Sequence, residues 1–174
     1  MTMRRFRSFG FLTLSRFAWY LHSCGDEAAA AAAHEFREVV RRTLSTSGLP
    51  VRVHLWLGEA LILVGTEVEP TVEAAIAIDL AYAATPHDIP LQGGLSCGDV
   101  LMLEGSDYVG EAVYMAVWLS GAAAPGELLV TAEVADHVRP PAGFVPRGST
   151  RVPGLPDDID VFSLRATVPP IVAG

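Results

Sequence analysis

The sequence predicts a single α+β domain in which helices pack on one face of a mixed sheet. Three observations support this fold class. First, 174 residues suffice for one substantial core but not for two ordinary domains. Second, predicted helices alternate with pairs of strand-like runs along the chain. Third, 51% of the residues are hydrophobic and only 18% are charged, which is typical of a well-filled core. We place this domain at residues 8–165, between a flexible basic leader (1–7) and a frayed tail (166–174).

The first third of the domain predicts a strand, a helix and a hairpin. The run Phe9–Leu14 is aromatic and branched, as expected of a buried strand within 8–17. Asp26 is a suitable N-cap for a helix that extends to about Thr43 and contains six consecutive alanines. Two further strand-like runs, Val51–Leu57 and Ala60–Val64, meet at Gly58-Glu59, which predicts a hairpin.

The remaining elements follow from apolar spacing and from breakers. Pro70 is expected to open a helix that continues to about Ala84. We then expect a strand at 91–97, a turn at Gly98-Asp99 and a strand at 100–103. Gly110 precedes a helix, and Pro125-Gly126 ends the segment that follows it. The last predicted elements are a strand at 128–130, a helix at 132–138, and strands at 144–146 and 160–164.

Composition limits the classes of partner. The net charge is −8, and all 12 basic residues are arginine, so nucleic acid and anionic lipid are not expected as partners. No segment has the roughly 18 uninterrupted apolar residues of a membrane span. Cys24 and Cys97 lie far apart without metal-ligand spacing, which predicts reduced thiols and a cytoplasmic protein. The high apolar content leaves surface for a protein partner to cover.

Several motifs in order carry a family resemblance. Asp107-Tyr108-Val109-Gly110 precedes a helix, Pro125-Gly126-Glu127-Leu128-Leu129 enters a strand, and a closing segment runs from Pro146-Arg147-Gly148 through Gly154-Leu155-Pro156 to a final strand. This arrangement resembles class III nucleotide cyclase domains across about residues 8–165. The resemblance implies a ferredoxin-like βαββαβ core with extra strands and helices.

The resemblance also identifies six positions where an active cyclase needs specific chemistry. Two carboxylates bind the metal ions, and their positions hold Thr13 and Glu59. An asparagine and an arginine stabilise the transition state, and their positions hold Tyr114 and Trp118. A lysine and an acidic or threonine residue read the base, and their positions hold Leu55 and Asp107. Since most of these groups are replaced, we predict no catalytic residue, no cofactor and no metal site, with Glu59 as its remnant.

Each of these residues also has an ordinary structural interpretation. Asp107 before a helix is typical of a turn or cap, and Glu59 at a hairpin tip is typical of a solvated side chain. His54 alternates with apolar neighbours and has no sequence partner, which favours a structural role. The aromatic residues Tyr114, Trp118 and Trp56 fit a core or an interface as well as a ligand pocket.

Three hypotheses follow. The first is a catalytically inactive cyclase homologue that acts as a dimerising protein-interaction or regulatory signalling module. Its partner would be a second copy, a cyclase-like protein or another signalling protein. The second is a small-molecule or nucleotide sensor; the residues of its altered cleft would be Leu55, Trp56, Asp107, Tyr114 and Trp118. The third is a weak adenylate or guanylate cyclase, or a regulatory subunit of an active heterodimer.

Overall fold

The computed structural model describes residues 3–104, 107–138 and 143–164, which contain eight strands and five helices. The strands are β1 (Met3–Leu14), β2 (Val51–Leu57), β3 (Ala60–Gly65), β4 (Leu91–Met102), β5 (Tyr108–Val109), β6 (Leu128–Thr131), β7 (Phe144–Arg151) and β8 (Asp158–Leu164). The helices are α1 (Phe17–Cys24), α2 (Asp26–Ser47), α3 (Val68–Ala83), α4 (Glu111–Ala122) and α5 (Ala132–His137).

The strands form one mixed sheet in the order β2-β3-β1-β4-β6-β8-β7, with β5 paired to the end of β4. β4 and β6 run parallel, and the other described neighbours run antiparallel. The predicted α+β class is confirmed, because five helices accompany one mixed sheet in the described residues. β1 lies between β3 and β4, so the segment that carries Thr13 is held on both sides by backbone hydrogen bonds.

The larger core lies between the sheet and helices α2 and α3. On α2, every third or fourth residue from Ala29 to Val40 is buried, which gives the helix one apolar face. These side chains meet Leu12 and Leu14 of β1 and Leu61 and Leu63 of β3. Alternation along the strands places the even-numbered residues of β1 on this side.

The opposite side of the sheet is covered by α4, so the prediction that helices pack on one face is wrong. Ala112 and Ala116 of α4 pack with Phe9 of β1 and Ile62 of β3. Gly94 of β4 makes this possible, because a Cβ at that position would overlap the α4 backbone. We call this side of the sheet the α4 side. Apolar sequence periodicity shows that a helix has a buried stripe but not which face of the sheet receives it.

Two predictions about the ends of strands are corrected. Residues 3–7 are not a loose leader, because they continue β1 and pair with the second half of β4. For the same reason Gly98-Asp99 is not a turn; Arg7 pairs with Gly98 and Phe6 with Asp99 within a continuous β4. Residues 3–7 of β1 and residues 98–102 of β4 therefore hydrogen-bond to each other, and each segment holds the other in strand conformation.

Helix α1 was not predicted, since residues to 17 were assigned to the strand. Its N-cap residue, Arg16, has φ 49°, and it is the single non-glycine residue with positive φ in the described ranges. None of the eight residues of α1 is buried. Strands β7 and β8 are longer than predicted, and the predicted frayed tail, 166–174, lies outside the described residues.

Within the described residues, no helix combines the length and apolar character needed to cross a bilayer.

Candidate functional site

The structure brings the backbones of Thr13 and Glu59 together at one end of the sheet, where the Glu59 side chain lies beside Ala33 and Arg37 of α2. Thr13 lies near the end of β1 and pairs with Ala60, the first residue of β3. Glu59 is the preceding hairpin residue, and its carbonyl oxygen accepts a hydrogen bond from Leu14 N at 3.3 Å. The Thr13 hydroxyl lies 3.5 Å from the Leu14 carbonyl oxygen. The sequence therefore identified two neighbouring positions, of which one carries a carboxylate.

This pair does not fit the two divalent metal ions that nucleotide cyclisation requires. Magnesium needs an octahedral set of hard oxygen ligands, and two ions need carboxylates that converge. Thr13 offers a neutral hydroxyl, and Glu59 offers the single carboxylate. Among the described residues, no three side chains of the types His, Cys, Asp or Glu are grouped so that they could hold a metal ion.

The two predicted transition-state positions on α4 are engaged in packing. Tyr114 is 48% exposed, and its hydroxyl donates to the Pro153 carbonyl oxygen at 3.2 Å. Trp118 packs against the apolar cluster formed by residues of α4, β6, β8 and the segment before β8. The members of that cluster are Met115, Leu119, Ala123, Leu129, Val152 and Val161. Both side chains thus join α4 to the 152–155 segment.

A β-bulge in β2 places His54, rather than Leu55, beside Asp107. The register of β2 shifts between Val53 and Leu55, which leaves His54 as the extra residue. The His54 ring lies 5.1 Å from the Tyr108 ring, and its Nε2 is 3.9 Å from Asp107 Oδ1. Leu55, by contrast, is 45% exposed. His54, and not Leu55, is therefore the β2 side chain that lies beside Asp107. Sequence spacing alone does not identify it.

The environment of His54 favours its neutral form. Burial lowers its pKa, and the positive charge of Arg52 lowers it further. The carboxylate of Asp107 acts in the opposite direction but has the smallest effect of the three. Asp107 is mostly solvated, with 76% of its side chain exposed, which screens the attraction.

Trp56 does not share the predicted cleft with Trp118. It packs against the α2 side of the sheet, where Arg37 and Arg41 lie 5.0 and 5.7 Å from its ring. Leu55 and Trp56 are adjacent strand residues, so their side chains point to opposite faces. The five residues of the predicted ligand cleft are therefore not all brought together.

Arginine and tyrosine residues at the other end of the α4 side were missed by the sequence analysis. Arg7 of β1 and Arg52 of β2 line a cleft with Tyr108, and the Tyr108 ring packs on Phe9 at 5.4 Å. The available signal was strand alternation, since Arg7 shares its face with Phe9. The prediction of a flexible leader over residues 1–7 is incompatible with this strand alternation, so Arg7 is not among the predicted site residues.

Two exposed leucines lie on the α4 side of the edge strand β2. Leu55 and Leu57 pair with Ile62 and Ala60 of β3, and both leucines are 45% exposed. Tyr114 and Val117 are also exposed, but they lie on α4, where Tyr114 bonds to Pro153. We call Leu55 and Leu57 the apolar patch. Exposed leucines of this kind suit a surface that a protein partner covers.

The chain is similar in structure to several nucleotide cyclases. The adenylyl cyclase CyaB from P. aeruginosa superposes with a TM-score of 0.81 at 15% identity, over 96% of this chain and 97% of that one. The guanylate cyclase domain of RhGC from Catenaria anguillulae, solved with GTP, gives 0.79 at 15% identity, with 94% and 98% covered. A guanylyl cyclase domain from Blastocladiella emersonii, described as an unusual dimer, gives 0.72 at 14% identity, with 93% and 95% covered.

In sequence, the chain is similar to uncharacterized proteins of Mycobacterium tuberculosis and Mycobacterium bovis. Identity is 28% over 156 residues, which cover 90% of this chain and 40% of each relative. The chain matches no family model. The structural likeness extends over nearly the whole length of both partners, and from it we conclude that this chain has the fold of class III adenylyl and guanylyl cyclase catalytic domains.

Proposed function

We propose that this domain is catalytically inactive and acts as a dimerising protein-interaction or regulatory signalling module. The observation that carries the proposal is the apolar patch, which lies on the same side of the sheet as the replaced cyclase positions. Where cyclisation requires metal ligands and charged donors, the chain has a threonine, an aromatic pair and exposed leucines. Such side chains suit an interface that excludes water.

Two further points support an interaction role. Tyr114 and Trp118 are tied to the 152–155 segment, so neither is free to replace the missing donors around a triphosphate. One of the similar guanylyl cyclase domains is a dimer. We extend that property to this chain, with a second copy or a cyclase-like signalling protein as partner in the cytoplasm.

The sensor hypothesis has less support at this site. A cleft built from Leu55, Trp56 and Trp118 would need the two tryptophans on one side of the sheet, and they lie on opposite sides. The heterodimer hypothesis would require this chain to supply catalytic groups to a partner. Asp107 is retained at one base-reading position and Glu59 is a partial replacement at one metal position, so this contribution is small.

Light scattering on purified protein tests the interaction role. We expect a dimeric mass for the wild type. The variant Leu55→Glu introduces a charge into the apolar patch. We expect the dissociation constant of the dimer to rise by about 100-fold, because burying an unpaired carboxylate is costly. Leu80→Glu is the matched control, since Leu80 is 49% exposed on α3 and lies outside the patch. A monomeric wild type, or equal masses for both variants, would contradict the proposal.

Incubation of the same samples with ATP or GTP and Mn²⁺ tests inactivity. We expect no cyclic nucleotide from the wild type, because each missing metal ligand or donor costs orders of magnitude in rate. Adding an active cyclase with a matching domain tests the heterodimer hypothesis. Cyclic nucleotide formed by this chain alone would contradict the proposal of inactivity without affecting the proposal of dimerisation.

A further inference from the structure

A cleft of about 520 Å³ lies at the end of the α4 side that is remote from Thr13. β1 and β2 begin there, and β3 ends there. The cleft is lined by two arginines, one tyrosine and mainly apolar neighbours. These are Arg7, Arg52, Tyr108, Leu49, Pro50, Val51, Val64, Gly65, Thr66 and Met102. We call this the cationic cleft.

The two guanidinium groups are oriented by neutral oxygens. Arg52 Nη2 donates to the Tyr108 hydroxyl at 3.2 Å, and Arg7 Nη1 donates to the Phe6 carbonyl oxygen at 2.8 Å. These contacts fix the arginines without cancelling their charges. Each guanidinium keeps further N–H groups that can donate to a ligand.

The position of the charges is unusual for this protein. The chain has a net charge of −8, with 20 acidic and 12 basic residues, yet two arginines from different strands line one cleft. Arg52 also lowers the pKa of His54, so its positive charge is felt on the neighbouring side chain. A bound anion would be attracted by both charges.

We propose that the cationic cleft binds a phosphate monoester that carries an apolar or aromatic body. Arginine forks match the oxygens of a phosphate, and two forks from two strands suit a tetrahedral dianion better than a planar carboxylate, which one fork satisfies. The inference goes beyond the proposed interaction function and does not depend on it, because no residue of the apolar patch lines the cleft.

The size and the lining of the cleft explain why the ligand needs a body. Its volume lies within the range of sites for small organic molecules and is far larger than one phosphate group. Leu49, Pro50 and Met102 offer apolar contacts, and the Tyr108 ring lines the same cleft. A phosphate alone would leave this apolar surface in water.

Calorimetric titration at neutral pH with phenyl phosphate as the probe tests the proposal. We expect one site per chain, with affinity at least about tenfold higher than for inorganic phosphate and for phenol, because each lacks one half of the recognised group. The absence of wild-type binding at about 10 mM probe would overturn the proposal, since even a weak specific site has a millimolar Kd.

Variants locate the site. Arg52→Gln and Arg7→Gln are each expected to weaken phenyl phosphate binding by about tenfold, which is typical for loss of a charge-assisted hydrogen bond. Tyr108→Phe keeps the ring but releases Arg52, and we expect a loss of about threefold. Arg4→Gln is the matched control, because Arg4 is exposed on the same strand and points to the other side of the sheet.

Since Arg52 is exposed on an edge strand, Arg52→Gln does not threaten folding, and it decides the result if Arg7→Gln proves unstable. Equal affinities for Arg52→Gln and Arg4→Gln would place the bound anion elsewhere and refute the proposed site.

Discussion

The two ends of the α4 side differ in chemistry although the same strands form both. At one end lies Thr13, which the family resemblance assigns to a metal carboxylate position, and the exposed Leu57 lies on the same side of the sheet across Ala60. At the other end, Arg7 and Arg52 line the cationic cleft. Arg7 and Thr13 are six residues apart on β1, about 20 Å at the usual rise of a strand.

The difference teaches that one side of a sheet can be apolar at one end and cationic at the other. The two ends therefore serve separate roles in our proposals, one for a protein partner and the other for a small anion.

The largest expected effect concerns the helix that joins the two ends. Gly94→Ala places a Cβ against the backbone of Ala116 and Ser120 in α4, and we expect a loss of ~3 kcal/mol in the free energy of unfolding. Urea unfolding measures it. Gly98→Ala is the matched control on β4, because its Cβ would make only an ordinary contact with Ala112 at 3.5 Å. Equal losses would mean that α4 does not approach β4 closely at Gly94.

A smaller effect tests whether the Thr13 end still resembles a metal site. Thr13→Asp adds a carboxylate whose backbone neighbours that of Glu59; if the two side chains can reach one ion, we expect Mn²⁺ at ten times its Kd to stabilise this variant by about 1.4 kcal/mol. Thermal unfolding with and without Mn²⁺ measures the gain, and Thr13→Asn is the neutral control. No cyclic nucleotide should form, since the other donors remain absent.

If Mn²⁺ affects both Thr13 variants equally, the carboxylates at positions 13 and 59 do not reach a common ion. Nucleotide cyclisation by Thr13→Asp would show that the replaced positions on α4 are dispensable.

The smallest effect concerns His54, which lies between the two ends. Its pKa is lowered in the folded state, so the unfolded chain binds more protons just below pH 6.5. The His54 contribution to stability is therefore complete above pH 6.5 and is lost as the pH falls through the folded pKa. In His54→Gln this loss disappears, and we expect a change below about 1 kcal/mol, because the ring is only partly buried.

Asp79 must be separated from this effect. Burial raises the pKa of Asp79 to about 6, so its carboxyl group destabilises the fold as the pH rises from its ordinary pKa of 3.8 toward 6. The free energy of unfolding falls with rising pH because of Asp79, whereas it rises with pH because of His54. The free energy of unfolding of His54→Gln should therefore be compared with that of the wild type at each pH. Identical slopes for the two proteins would show that His54 titrates as in the unfolded chain.

The sequence predicted those elements whose turn residues or helix-forming residues lie within the element itself. The hairpin at Gly58-Glu59 and the alanine-rich helix were predicted close to their true bounds, because turn residues and helix formers act over a few residues. The continuous β4 was not predicted, because its second half depends on the first residues of β1, almost a hundred positions earlier. The run Arg4-Arg5-Phe6-Arg7 carries only a weak strand signal without that partner.

The candidate site shows the same limit. Motif spacing located Thr13, Glu59 and Asp107, since each lies in or beside a turn with a clear signature. It selected Leu55 where the bulge places His54, because an extra residue in one strand changes register without a change in composition. The grouping of Trp56 with Trp118 failed because spacing along the chain does not indicate the side of the sheet.

Helix α1 has a kinetic consequence. Its first turn follows a strained arginine, and none of its residues is buried, so little free energy separates its folded form from a local opening. Phe17 and Tyr20 of α1 pack against the core on the α2 side of the sheet, so such opening would expose part of that core. Thr13 and the cationic cleft lie on the opposite side of the sheet and would not be uncovered by it.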